Sequence, residues 1–508
     1  MDPKKEKSIM PDPNSQDVAE MKAVDMDALR LADMGYSQEM KRKFSTLSLL
    51  GICFSLTSSW FGFCASLVTG LSSGGTVLAV YGIPLLGCIS ACVGASLSEL
   101  ASAMPNAGGE YFWTGELAKS KRYAHLASFL TGWFAWAGSI FTTASRIYQL
   151  NHPDFIPQAW HTVAAYEFVS LFAFFFNCVG RILPTISTTT MYISLISLIT
   201  IFVTVPATTP AHANTKFVFA TFTNSTGWSS NGLAFLLGLI NPNWLFVCLD
   251  AATHMAEEIS QPETAIPTAI MGTVGVGLVS SWLLCIALYF SITNLDALVN
   301  TATGVPILEL FYQTLGSRAG ATLLEALVLT TGIGCQIASH TYQSRVCWSF
   351  ARDRGLPGHA FLSKIHPTLD VPLNAHIVSS VLVSLLGLLY LGSSTAFNSL
   401  VTACIVLLCV VCHPDYLLLK KRTRQYPPWP FRLGKLGLLC NWVVLLWTVF
   451  CLVVYSLPAV YPVTGGNMNY VSVVYAAVGG IILLDWVVRG RKVFWGLTAR
   501  HDEVLVRV

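Results

Sequence analysis

Twelve stretches of this chain are apolar for roughly 17 to 25 residues, the length a helix needs to cross the hydrocarbon of a bilayer. They fall at 47–71, 78–104, 125–149, 162–180, 188–208, 232–256, 268–292, 320–344, 373–391, 395–413, 437–457 and 470–489. Only 11% of the 508 residues are charged and 53% are hydrophobic, where a soluble protein carries about 25% charged residues. No soluble core requires so many long apolar runs. The expected fold class is an all-α polytopic membrane protein with twelve transmembrane helices. Most of the 14 cysteines, among them Cys53, Cys64, Cys88, Cys92 and Cys248, sit inside these runs and read as small hydrophobic residues.

The charges outside the runs set an orientation. Of the 30 Lys and Arg, 27 fall on one side if both ends of the chain face the same compartment. Arg146, Lys216 and Arg318 are the exceptions. Positive loops stay in the cytosol, so both termini are expected there. The sequence predicts three regions: a mostly disordered N-terminal tail over 1–45, a twelve-helix body over 46–490 and a C-terminal tail over 491–508. The opening residues are polar and mixed in charge, unlike a signal peptide. Asn224, in the sequon Asn224-Ser225-Thr226, falls on the outer side as a candidate glycosylation site.

Two spans are interrupted. The first carries Ser55, Thr57, Ser58 and Ser59, then Trp60, Phe61 and Gly62. Small residues also let packed membrane helices approach. The sixth carries Asn241-Pro242-Asn243. Proline lacks a backbone donor and disfavours helix at the residue before it. A carbonyl freed in lipid must find a partner or line a cavity, and Asn241 and Asn243 are candidates to satisfy it; a plain proline kink is the alternative. Spaced five spans apart, the two breaks suit paired inverted repeats, each with one discontinuous helix. Five helices, five more and two extra give twelve.

Asp250 follows the second break. A carboxylate at that depth is costly unless paired, protonated or wetted; it would carry a proton or face a cationic solute. The alternative is a helix-end residue among headgroups. Glu257 and Glu258 are expected at the membrane interface. Trp60, Phe61, Trp244 and Phe246 are candidates to face a shared cavity, and aromatic faces attract ammonium groups. Glu99 is a candidate to pair with an arginine of the 345–354 segment as an inner gate. Gln336 and His340 share a face of the eighth span and are candidates to line the pathway. No metal, cofactor, nucleic-acid or catalytic site is expected.

Three segments give the chain a family likeness. They are "SLSELASAMPNAGGEYFWTGELA" from Ser96, "DAATHMAEEISQPETAIPTAI" from Asp250 and "SRVCWSFARDRGLPGHAFLSKIHPTLDVPLNA" from Ser344. The chain resembles the amino acid–polyamine–organocation transporters, in particular the fungal amino acid, choline and γ-aminobutyrate permease branch. The resemblance implies a five-plus-five inverted repeat, alternating access and a substrate held between the first and sixth spans. It also implies a covering aromatic at Trp244, a gating or coupling acid at Asp250, a proton as coupling ion and a fungal plasma-membrane location. The substrate site is then expected among Ser58, Ser59, Trp60, Phe61, Gly62, Asn241, Trp244, Phe246 and Asp250, with Glu99, Asp250, Gln336 and His340 in gating or coupling. Two departures stand out. "SSWFG" replaces the Gly-small-Gly run by which relatives hold a substrate carboxylate, and Cys412-His413-Pro414-Asp415 ends the tenth span unusually. The expected function is uptake of an amino acid, γ-aminobutyrate, choline or related amine with protons; the alternatives are a nutrient sensor on the same scaffold or a channel.

Overall fold

The computed structural model describes residues 26–68, 70–118, 121–141, 159–301, 303–411 and 429–494. Cys412 to Asp415 lie outside them, as do the end of the third candidate span and most of the C-terminal tail. Among the described residues nine helices are long and apolar enough to cross a membrane, and two shorter apolar ones cover Val163–Asn177 and Thr395–Ile405. There is no sheet among them, only an isolated bridge between Phe44 and Ile259. The outward surface is apolar: Phe168 is 71% exposed and Leu484 67%. Lipid tails are the fitting solvent for such faces.

The first candidate span is two helices, α1 (Thr46–Thr57) and α2 (Ser59–Ala65). Between them Ser58 adopts φ 42°, a region that residues other than glycine seldom enter. The second span is α3 (Gly75–Ala103), followed by a short helix α4 (Glu110–Leu117) and then α5 (Lys121–Phe141). Next come α6 (Ala159–Asn177) and α7 (Leu183–Thr208). The sixth span opens with α8 (Asn231–Gly238) and α9 (Ile240–Asn243), and continues as 3₁₀ turns over Trp244–Phe246 and Leu249–Met255. Then follow α10 (Pro262–Phe290), α11 (Arg318–Arg352), α12 (Leu373–Gly392), α13 (Ser394–Val411), α14 (Lys435–Val454) and α15 (Val471–Asp485). α10 packs along α3, and α1 lies against α7, α10 and α11.

The sixth span does not break where its proline predicts. Pro242 removes the partner of the Gly238 carbonyl, but the Asn241 side-chain amide donates to that carbonyl at 3.1 Å. The helix carries on through a bond from the Asn243 N–H to Leu239 O at 3.1 Å. The chain leaves helical geometry one turn later, with Val247 extended (φ −79°, ψ 161°) and Cys248 left-handed (φ 63°, ψ 32°).

Two further expectations are corrected. Residues 26–45 are not a loose tail: 26–33 form a helix, and 36–44 pack onto the chain after the sixth span. The eighth span is also longer than its apolar part. α11 runs 35 residues, about 52 Å at 1.5 Å per residue, and its last turns carry buried Arg345 and Arg352.

Replacing Asn241 by leucine strands the Gly238 carbonyl. N241L is expected to cost ~1–3 kcal/mol of stability, read as a lower melting temperature of the purified protein; unchanged melting would mean another group takes over that carbonyl.

Candidate functional site

The two breaks meet. Ser59, just past the first, donates its hydroxyl to the Leu245 carbonyl at 2.6 Å. That carbonyl lies where the sixth span loses its helical ladder, so it needs an outside donor. Gly277 of α10 makes the approach possible: a Cβ there would lie 2.4 Å from the Ser59 Oγ. Around this joint the Thr57 and Ser58 hydroxyls and the Asn243 amide nitrogen are buried with no hydrogen-bond partner among the described residues. Buried polar atoms left open in this way call for a partner.

Beside the second break is a cavity of about 50 Å³ lined by Ser90, Asn243, Phe246, Asp250, Trp447 and Thr448, among others. That is room for a few water molecules. Of the sequence candidates, Phe246 and Asp250 face it together. Trp60 is fully buried and donates its indole N–H to the Ser194 hydroxyl of α7 at 2.9 Å. Phe61 lies against Gly332 of α11, and Gly62 beside Leu245. Trp244 is half-buried next to the cluster of Ile405, Cys451 and Tyr455.

The gating candidates are dispersed. Glu99 is buried and accepts the Leu433 N–H at 3.1 Å; it fastens the approach to α14 rather than an arginine of 345–354. Gln336 is buried on α11. His340 sits between the hydroxyls of Ser170 on α6, at 3.3 Å, and Ser380 on α12, at 3.2 Å. Asn224 donates to Trp228 O at 2.9 Å and accepts from the Thr226 hydroxyl at 2.7 Å.

Asp250 is buried and takes a short hydrogen bond from the Tyr342 hydroxyl of α11. One turn on, His254 lies with its Nε2 3.8 Å from Asp250 Oδ2 and 3.4 Å from Glu110 Oε2 of α4. Neither His254 nor Glu110 stood out in the sequence, although Asp250 and His254 have the same i,i+4 spacing as Gln336 and His340.

Below this group lies an ion-pair lattice. Glu257 and Glu258 are 2% and 1% exposed, not interfacial. Arg345 grips Glu258 with two nitrogens, at 2.8 and 3.3 Å. Lys43 reaches the same carboxylate at 3.0 Å and donates to Asp370 O at 2.7 Å. Arg352 holds Glu257 at 2.6 Å and stacks over the Tyr36 and Trp348 rings. Tyr36 and Tyr111 both donate to Asp353, at 2.8 and 3.0 Å. The backbone N–H groups of Lys43 and Phe44 bond Glu258 O. The N-terminal segment thus straps the end of the sixth span to the end of α11. Burial alone would raise the Glu258 carboxyl, but Arg345 and Lys43 beside it hold it below its ordinary value. Glu257 has one arginine against the same burial and stays above its ordinary value.

A family profile described as amino acid permease matches residues 44–478. The chain is 48% identical over 490 residues to the choline transporter of Saccharomyces cerevisiae, covering 94% of this chain and 87% of that one. It is 35% identical to the 7-keto 8-aminopelargonic acid transporter of the same yeast, over 87% of this chain and 91% of that one. It is 31% identical to the amino-acid permease BAT1 of Arabidopsis thaliana, over 93% and 96%.

Removing the Glu258 charge leaves Arg345 buried without its carboxylate. E258Q is expected to destabilise by ~3–5 kcal/mol, measured as thermal unfolding of the purified protein. Because the folded pKa of Glu258 is depressed, the stability it contributes is complete above its unfolded value of about 4.3. That share is lost as pH falls through the lower folded value. In E258Q this acid-dependent step should vanish; a step of unchanged size would assign it to other groups.

Proposed function

The chain belongs to the amino acid permease family and carries out secondary transport of an amino-acid or amine-type solute across a membrane, and from that premise we propose that it imports choline or a close ammonium relative together with a proton. The observation that carries this reading is the pairing of a carboxylate with an aromatic ring, Asp250 and Phe246, on one cavity at the second break. An ammonium head group is attracted to both. The segment Ser58 to Gly62 lacks the glycine run by which the resembled family holds a carboxylate, in keeping with a solute that has none. The 48% identity to a yeast choline transporter supports the same choice.

The mechanism is alternating access in a twelve-helix body of five-plus-five inverted repeats and two added helices, in a fungal plasma membrane with both termini cytosolic. The lattice of Glu257, Glu258, Arg345, Arg352 and Lys43 then closes the cytosolic route. The present cavity of about 50 Å³ is too small for an organic cation, so loading requires the two breaks to part. The Thr57 and Ser58 hydroxyls and the Asn243 amide nitrogen, without hydrogen-bond partners among the described residues, would meet the solute's hydroxyl. Trp244 and Phe61 would cover it, and Asn224 carries a glycan on the outer face.

Labelled choline uptake should be measured in cells lacking their own, at acid and neutral external pH. Competitors are choline, γ-aminobutyrate, basic and neutral amino acids and polyamines. Choline is expected to compete best and acid to stimulate uptake; competition by neutral amino acids but not choline would replace the substrate. D250N is expected to lose acid-stimulated uptake at equal surface level, and normal uptake by it would remove Asp250 from the mechanism.

A further inference from the structure

His254 is 1% exposed, and its surroundings fix where its hydrogens are. Its Nδ1 lies 2.9 Å from the Ala107 carbonyl oxygen. A carbonyl only accepts, so Nδ1 carries a hydrogen. In a neutral ring Nε2 would then present its lone pair to two buried carboxylates, Glu110 Oε2 at 3.4 Å and Asp250 Oδ2 at 3.8 Å. Neither Glu110 oxygen has another hydrogen-bond partner among the described residues. Three electron-rich groups facing one another away from water repel strongly unless a positive charge lies between them.

The other groups facing this point do not supply that charge. Tyr342 of α11, its ring 5.7 Å from the imidazole, donates a neutral hydroxyl to Asp250. The thiol of Cys53 on α1 lies near Asp250. Arg345 and Arg352 are taken up by Glu258 and Glu257. A proton on Nε2 resolves the conflict, turning both close approaches into attractions and bringing the cluster from two negative charges to one.

We propose that the cluster of His254, Glu110 and Asp250 is the seat of the transported proton, held on His254 Nε2 between the two carboxylates. This deepens the proton-coupled reading above and rests on it. The proton belongs to the cluster as a unit, and it joins parts that are otherwise separate. Glu110 begins α4, on the segment after α3, whereas Asp250 and His254 follow the second break. With the proton bound, the segment after α3 is clamped to the sixth span; without it, Glu110 and Asp250 repel and the clamp loosens. Asp250 is also part of the cavity wall, so one carboxylate feels both the solute and the proton.

The test is transport by the full chain reconstituted in phospholipid vesicles, with the membrane potential clamped by potassium and valinomycin. Two readings are taken: labelled choline accumulation driven by an acid-outside gradient, and exchange of labelled for unlabelled choline at equal pH on both sides. Wild type is expected to do both. H254Q and E110Q are expected to lose gradient-driven accumulation by about tenfold or more, with exchange kept within about threefold, and E110D to recover part of the accumulation. Gradient-driven accumulation by H254Q at the wild-type level overturns the proposal. So does loss of exchange together with accumulation in both variants, which marks the cluster as structural only. Wild-type accumulation driven by sodium, with no response to the pH gradient, overturns it as well. If choline is not the solute, the same two readings are taken with the one the competition panel identifies; that failure touches the substrate and leaves the proton's seat to be decided by H254Q.

Discussion

Inside a bilayer every interruption of a helix leaves backbone groups that no water will satisfy, and the centre of this protein is organised around that cost. Pro242 and the turn at Val247 and Cys248 each release a carbonyl in the sixth span. These carbonyls are treated differently. The Gly238 carbonyl is met within its own segment by Asn241, so the proline causes little distortion. The Leu245 carbonyl is met from outside, by Ser59. That one bond ties the two broken helices together and depends on Gly277 leaving room for it.

The second level of organisation is electrostatic. Four acidic side chains, Glu110, Asp250, Glu257 and Glu258, are at most 3% exposed. Such groups survive burial only with partners. Arginines at the end of α11 and a lysine from the N-terminal segment serve the lower two. The upper two share a histidine, and Asp250 alone also has a tyrosine. The upper group carries no fixed positive charge, which makes it the more easily altered of the two.

Much of this was readable in the sequence. Nine of the apolar runs correspond to helices of membrane-spanning length among the described residues, because length and hydropathy are local properties. Asn241-Pro242-Asn243 and Asp250 marked the sixth span as unusual, and they do flank its break. The position of the break was misread by one turn, since a proline announces a missing donor but not whether a neighbour makes good the loss. Glu257 and Glu258 looked interfacial because their partners come from residues 43, 345 and 352, and nothing local ties those positions together. Residues 26–45 looked like a tail for the same reason: their polar side chains find partners only once the helices are assembled. His254 was overlooked beside a more conspicuous aspartate, although their spacing of four was a usable sign.

The length of α11 has a consequence for how such a molecule can move. Tyr342, which touches Asp250, and Arg352, which holds Glu257, are ten residues apart on this unbroken rod, about 15 Å along its axis. A stiff helix cannot tilt at one of these positions and stay still at the other. A disturbance at the central aspartate is therefore felt as leverage on the arginine clasp, and unfastening the clasp pulls back on the aspartate, with no relay of intermediate side chains required.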